Sequence, residues 1–208
     1  MGRHLVPVLL AHGYRVRVLV RAASIARVPE GAVPFVGDAL DGGSFAGALR
    51  PGETLVHLVG TPHPSPAKAV QFRSVDLPSI RASVAAATQA RVAHLVYVSV
   101  AHPAPVMKAY IAVRSEGEAA IARAGLTATV LRPWYVVGPG HRWPLLLVPI
   151  YMCMEALPVT RESAERLGLV TIRQMIRALA HAVGDPPPPG TTRILDVAAI
   201  RRAPIAAT

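Results

Sequence analysis

Residues 94–140 read HLVYVSVAHPAPVMKAYIAVRSEGEAAIARAGLTATVLRPWYVVGPG, and this stretch decides the fold. Its start, His94–Ser99, is a short apolar run rich in β-branched and aromatic residues, the pattern of a buried strand. A helix is expected over Tyr110–Arg123 and a second strand over Thr127–Arg132. The exit Pro133-Trp134-Tyr135-Val136-Val137-Gly138-Pro139-Gly140 is aromatic and rich in Gly and Pro. Strand, helix and strand at this spacing make a βαβ unit, which requires parallel strands. Ligands of such sheets bind at the carboxyl ends of the strands. The stretch supplies two of those ends, with Tyr110 between them and Arg114 one helical turn further on.

Toward the amino terminus, Thr54–Val59 (TLVHLV) is a continuous apolar strand of the kind buried on both faces. It leaves through the Pro-rich loop Gly60–Pro66. Ala67–Ala90 is the longest helical pattern, with Val75, Leu77, Ile80, Val84 and Ala87 at helical spacing. Pro78 lies inside it, so a kink or break is expected near Asp76. Arg15–Val20 alternates charged and aliphatic residues as a strand does, and Val33–Val36 is a second strand closed by Gly37-Asp38. A polar connection, Ser24–Gly31, joins them, and Gly42–Leu49 is a short helix. The apolar run Leu5–Ala11 ends at His12-Gly13, a helix stop. Pro7 fits only a first turn, so this helix must begin close to Met1.

Beyond Gly140, Leu145–Leu157 is an apolar helix or buried loop, Arg161–Arg166 is polar and Leu169-Val170 is a short strand. Thr171–Val183 is a helix opened by the capping box Thr171/Gln174. Asp185–Gly190 is a stiff linker and Arg193–Val197 a last strand. The expected fold class is therefore α/β, with a mostly parallel, doubly wound sheet. Residues 1–140 carry the Rossmann-like region, and 141–208 form a small C-terminal lobe integrated with the same domain. The chain begins on a helix. In a sheet ordered 3-2-1-4-5-6, the strand before that helix would stand in the middle.

The 208 residues suffice for one domain with a full core. A net charge of +10 rests on 20 Arg and 2 Lys. The arginines are dispersed, and the cluster Arg15, Arg17, Arg21 has no interleaved aromatics, so no nucleic-acid partner is expected. The single cysteine, Cys153, excludes a disulfide framework and fits a reducing, cytoplasmic setting. No signal peptide is visible. The longest uncharged run, Trp143–Met154, falls short of the ~20 residues of a membrane span. Contact with a membrane surface through it is a minor alternative. His57, inside an apolar strand, reads as a core histidine. No metal site is expected, because no His/Cys/Asp cluster has ligand spacing.

These residues resemble the extended and atypical short-chain dehydrogenase/reductase superfamily, particularly its epimerase-like and NmrA-like branches. The matching landmarks are Gly2-Arg3-His4-Leu5 opening a helix, Val18–Arg21 and Gly37-Asp38 ending strands, and Val59-Gly60-Thr61 after the buried strand. Val96–Ser99, Leu131-Arg132-Pro133 and Val137–Gly140 complete the set. The family's phosphate loop reads roughly T-G-A-T-G-x-x-G. Only its last glycine has a counterpart, Gly2, so the resemblance implies a sequence lacking the first strand and glycine turn. Weak dinucleotide binding by this chain alone is then expected.

The resemblance implies a small-molecule substrate and an NADP cofactor, with NAD possible. Arg21 stands where NAD-specific relatives carry an acid, and an arginine there suits a 2′-phosphate. Asp38 would meet the adenine, Val59, Gly60 and Thr61 the ribose and nicotinamide, and Pro133 and Tyr135 the far end of the cofactor. Trp134 and Arg142 would face substrate. The family's catalytic pair Y-x-x-x-K appears as Tyr110 and Arg114, with Ser99 in or just before the place of the serine. An arginine supplies charge but not the compact ammonium of lysine. The implied function is NADP-dependent oxidoreduction or epimerase-like chemistry. The alternative is a catalytically degenerate NAD(P)-sensing regulator or assembly subunit.

Overall fold

The computed structural model describes residues 1–104, 106–138 and 167–204. The expectations for Leu145–Leu157, Arg161–Arg166, Pro139-Gly140, Arg142 and Cys153 lie outside them. Strands β1 (Arg17–Val20) and β2 (Val33–Val36) pair in parallel. Strands β3 (Thr54–His57), β4 (His94–Val98), β5 (Ala128–Leu131) and β8 (Thr192–Leu195) form a four-stranded parallel sheet in that order. Between β5 and β8 in the chain, β6 (Tyr135–Val137) pairs in parallel with β7 (Leu169–Thr171). The four-stranded sheet thus draws one strand from beyond residue 140.

The pleat sorts the core into two layers, because successive side chains of a strand face opposite ways. Leu95 and Tyr97 of β4, with Ala128 and Val130 of β5, pack under α4 (Leu77–Ala90) and α5 (Lys108–Arg123). Val96, Val98 and Leu131 turn to the other face. There α1 (Gly2–Ala11), α6 (Ile172–Gly184) and α7 (Val197–Arg202) cover them. Helices on both faces of a parallel sheet make the Rossmann-like arrangement that the sequence pattern implied.

Among the described residues, no strand pairs with the second edge of β1 or of β3. The two sheets are held by other means. Leu5 and Leu9 of α1 pack in one cluster with Val16 beside β1 and with Val56 and Leu58 of the β3 segment. At the amino ends, the Arg17 guanidinium pairs with Glu53. This gap changes β3. Its expected burial on both faces is not met, since only His57 is fully buried and Thr54, Leu55 and Val56 are half-buried. The complete burial falls to β4 and β5, which have neighbours on both sides.

One local expectation is met and two are corrected. The long helical pattern breaks where Pro78 required it. A π-helical turn, Phe72–Asp76, precedes α4, and Pro78 sits in that helix's first turn, where its missing N–H costs nothing. Pro7, in contrast, lies past the first turn of α1, beyond where its ring was expected. The last strand stops at Leu195, because Asp196 caps α7 by accepting the Ala199 amide at 2.7 Å.

Candidate functional site

The carboxyl ends of β3 and β4 meet the first half of α5. That helix presents Tyr110, Arg114 and Glu118 at successive four-residue steps, so they line one stripe. It starts from Met107, which takes a left-handed conformation (φ 60°) rare for a side chain of that size.

Arg114 does not face solvent. It is 4% exposed, and its Nη2 donates to Asp76 Oδ1 at 2.6 Å. Nη1 donates to the Val98 carbonyl at 3.1 Å, with longer 3.5 Å contacts to Val59 O and the Tyr97 hydroxyl. The guanidinium lies 5.0 Å from the Tyr110 ring centroid and 5.8 Å from that of Tyr97. Asp76, on the π-helical turn, is itself buried. It also accepts the Thr61 amide at 3.0 Å and the Thr61 hydroxyl at 2.5 Å. A planar fork can serve a carboxylate and a strand-end carbonyl together, whereas an ammonium cannot match that geometry.

The same cation dictates glycine at position 60. A Cβ there would stand 2.2 Å from Arg114 Nη2 and 3.2 Å from Asp76 Oδ1. Burial pulls the Arg114 pKa down, but Tyr110, Tyr97 and Asp76 outweigh it and the group stays above its ordinary value, always charged. Burial raises Tyr97 to about 12 against the pull of Arg114. Tyr110, its ring tilted at 54° to that of Phe72 with centroids 4.8 Å apart, is also raised, again first by burial. His57 is the core histidine expected. Burial, then Arg114, holds it down at about 3, and its Nδ1 meets Ser83 Oγ at 3.0 Å.

Ser99 belongs to a second cluster. Its hydroxyl donates to Glu118 Oε1 at 2.5 Å. Arg132 grips the same carboxylate twice, Nε at 3.1 Å and Nη2 at 2.5 Å. His102 Nε2 lies 3.6 Å from Glu118 Oε1. The structure therefore brings Tyr110 and Arg114 together and turns Ser99 toward Glu118. Sequence reasoning singled out neither Asp76 nor Glu118. Glu118, four residues after Arg114 on the same stripe, was the one with a usable signal.

The remaining expected residues lie along the carboxyl edge. Arg21 follows β1 and is exposed. Asp38 forms a turn, its Oδ1 accepting the Leu40 amide at 2.9 Å. Gly37 before it admits no side chain, because a Cβ would press on Leu19 at 2.9 Å and on the Ser44 carbonyl at 3.1 Å. Gly2 opens α1. Thr61 has its amide and hydroxyl committed to Asp76. Pro133 is buried and its carbonyl receives the Ala101 amide. Trp134 and Tyr135 meet edge to face at 5.5 Å. An exposed cation at the end of β1, a tight backbone at Gly37 and the uncrowded Gly2 at the start of α1 suit an anionic dinucleotide laid across the strand ends. The residues present fit that group. Among the described residues, no helix is long and apolar enough to cross a membrane.

Comparison with known proteins agrees with the fold. Ceramide reductase of Caulobacter vibrioides is 28% identical over 182 residues, covering 83% of this chain and 54% of that protein. The chain thus spans about half the length of this curated relative. A short-chain dehydrogenase/reductase superfamily protein from Agrobacterium tumefaciens, solved with bound NAD, superposes with a TM-score of 0.66. It is 18% identical, over 96% of this chain and 77% of that one. A UDP-galactose 4-epimerase superposes with a TM-score of 0.67 at 20% identity, over 93% of this chain and 72% of that one. At these identities the likeness shows the fold. The sequence model of the NAD(P)H-binding family matches residues 1–140, two-thirds of the chain, and the chain therefore belongs to that family.

Proposed function

We propose that this chain serves an NADP-dependent oxidoreductase that reduces a carbonyl on a small molecule. The carrying observation is the position of Tyr110. Its ring lies 5.0 Å from the permanently charged Arg114, which donates to the strand-end carbonyl of Val98 in an NAD(P)-binding sheet. Tyr110 is the proton donor and Arg114 its cationic neighbour. Bound dinucleotide supplies the two electrons and the hydrogen that reach carbon. The reductase activity named for the Caulobacter relative supports reduction over epimerisation.

The dinucleotide lies across the strand ends. Arg21 meets the 2′-phosphate, the Asp38 turn borders the adenine, and Gly2 and Val59–Thr61 border the phosphates and ribose. Ser99 plays a smaller part than in the family pattern, because its proton is given to Glu118. Pro133 and Tyr135 border the far end of the cofactor, and Trp134 and Arg142 border the substrate. A second reading, an NAD(P)-sensing protein without turnover, draws on the same commitment of Ser99 and on the pairing of Arg114 with Asp76.

The test is oxidation of NADPH and NADH in the presence of a panel of ketones and aldehydes. At NADPH concentrations high enough to offset weak binding, consumption by the parent protein is expected, with Tyr110→Phe slower by about a hundredfold or more. Arg21→Ala is expected to weaken NADPH about tenfold and leave NADH unchanged. NADPH binding without consumption would replace this reading with the sensing one. An undiminished rate in Tyr110→Phe would remove Tyr110 from the chemistry.

A further inference from the structure

A lone buried arginine beside a tyrosine stabilises the phenolate, because an opposite charge within a few ångströms favours the ionised form. Here the arginine is not alone. Asp76 lies at the other end of the guanidinium, 2.6 Å from Nη2, with side chains 0% and 5% exposed respectively. Three contacts converge on that carboxylate: the Thr61 amide, the Thr61 hydroxyl and Arg114 itself. At this burial, solvent does not screen the pair.

The charged groups that act on Tyr110 are Arg114 from its own helix and Asp76 from the π-helical turn packed against it. They are opposite in sign and joined. Tyr97, from β4, is the third titratable group in the knot and stays neutral. Burial, including the contact with Phe72, raises the phenol, Arg114 lowers it, and Asp76 offsets part of that pull.

We propose that Asp76 is a positioning residue that offsets the charge of Arg114 toward Tyr110 and so helps burial keep the phenol in its protonated, proton-donating form. The inference rests on the oxidoreductase reading above and deepens it by giving the site a direction. In carbonyl reduction the Tyr110 proton passes to the substrate oxygen, and the phenolate regains a proton from solvent. The two electrons come from the reduced dinucleotide. Alcohol oxidation needs the phenolate as base at the outset, and this site does not supply it at neutral pH. The arginine at position 114 and the acid at position 76 work as one device. The fork holds Asp76 and the Val98 carbonyl at once, and Gly60 leaves the space that the fork fills.

The experiment is a titration of the full chain labelled with ¹³Cζ-tyrosine, followed by NMR and requiring neither cofactor nor turnover. The signal of Tyr110, one of five tyrosines, is identified by its loss in Tyr110→Phe. In the parent protein it is expected to remain protonated beyond about pH 10, the value of a free tyrosine. In Asp76→Asn, which keeps a hydrogen-bond acceptor for Thr61, the midpoint is expected to fall by at least one pH unit, giving tenfold more phenolate at a given pH. In Arg114→Gln, which leaves Asp76 uncompensated, the midpoint is expected to rise. A parent midpoint at or below that of free tyrosine overturns the proposal, as does an unmoved midpoint in folded Asp76→Asn. Should Asp76→Asn not fold, the parent titration and Arg114→Gln decide, and a midpoint lowered in Arg114→Gln overturns it. A chain that titrates as expected yet consumes no NADPH keeps the charge offset and loses the oxidoreductase reading. Turnover with a parent phenol that ionises early does the reverse.

Discussion

Two ion pairs hang from one stripe of α5, and they were built differently. Arg114 and Glu118 are four residues apart, close enough to pair with each other on a helix surface. Neither does. Arg114 turns inward to Asp76, where both side chains are almost fully buried. Glu118 turns to Arg132 at the end of β5, where the side chains keep 14% and 21% exposure. The first pair is closed, and each partner depends on the other. The second keeps solvent access and shares its carboxylate with Ser99 and lies near His102. The electrostatics of the tyrosine and of the serine are thus separated on one helix.

The sharpest way to break this comparison is Asp76→Ala. Removing one partner of a buried pair leaves an uncompensated charge, and a loss of about 3–5 kcal/mol in unfolding free energy is expected by denaturant titration. A loss under 1 kcal/mol would mean that the buried cation finds water. Gly60→Ala comes next. Its Cβ would have to displace Arg114 Nη2, and a cost of about 1–3 kcal/mol is expected, read as a lower melting temperature. Combined with Arg114→Ala, the same change should cost much less than on its own, because the clash is then gone. Glu118→Gln should have the smallest effect, up to about 1 kcal/mol, since its pair is partly solvated. Equal losses in Glu118→Gln and Asp76→Ala would erase the distinction between the two pairs.

Much of the fold was legible because it is written locally. The capping box of Thr171 and Gln174 is present, with the Gln174 amide 3.2 Å from the Thr171 hydroxyl. The four-residue step put Tyr110 and Arg114 together, and Pro78 marked the break. What was not legible depends on distant partners. Asp76 and Arg114 are 38 positions apart, and no periodicity links an acid on one helix to a base on another. Arg114 could be placed beside Tyr110, but not inside the core. The apolar run of β3 promised burial on both faces, yet burial depends on the neighbouring strand as well as on composition. Short α7 escaped notice because the signal of its cap, Asp196, sits against the end of a strand.

The glycine, the acid and the arginine also constrain how this site can change over time. An arginine at 114 requires space at 60 and an opposite charge at 76, and losing either companion carries a cost. A lineage exchanging lysine for arginine here cannot do so in one step without passing through a clash or an unpaired buried ion. Substitutions at 60, 76 and 114 should therefore be inherited as a block, and relatives that carry the arginine should carry both companions.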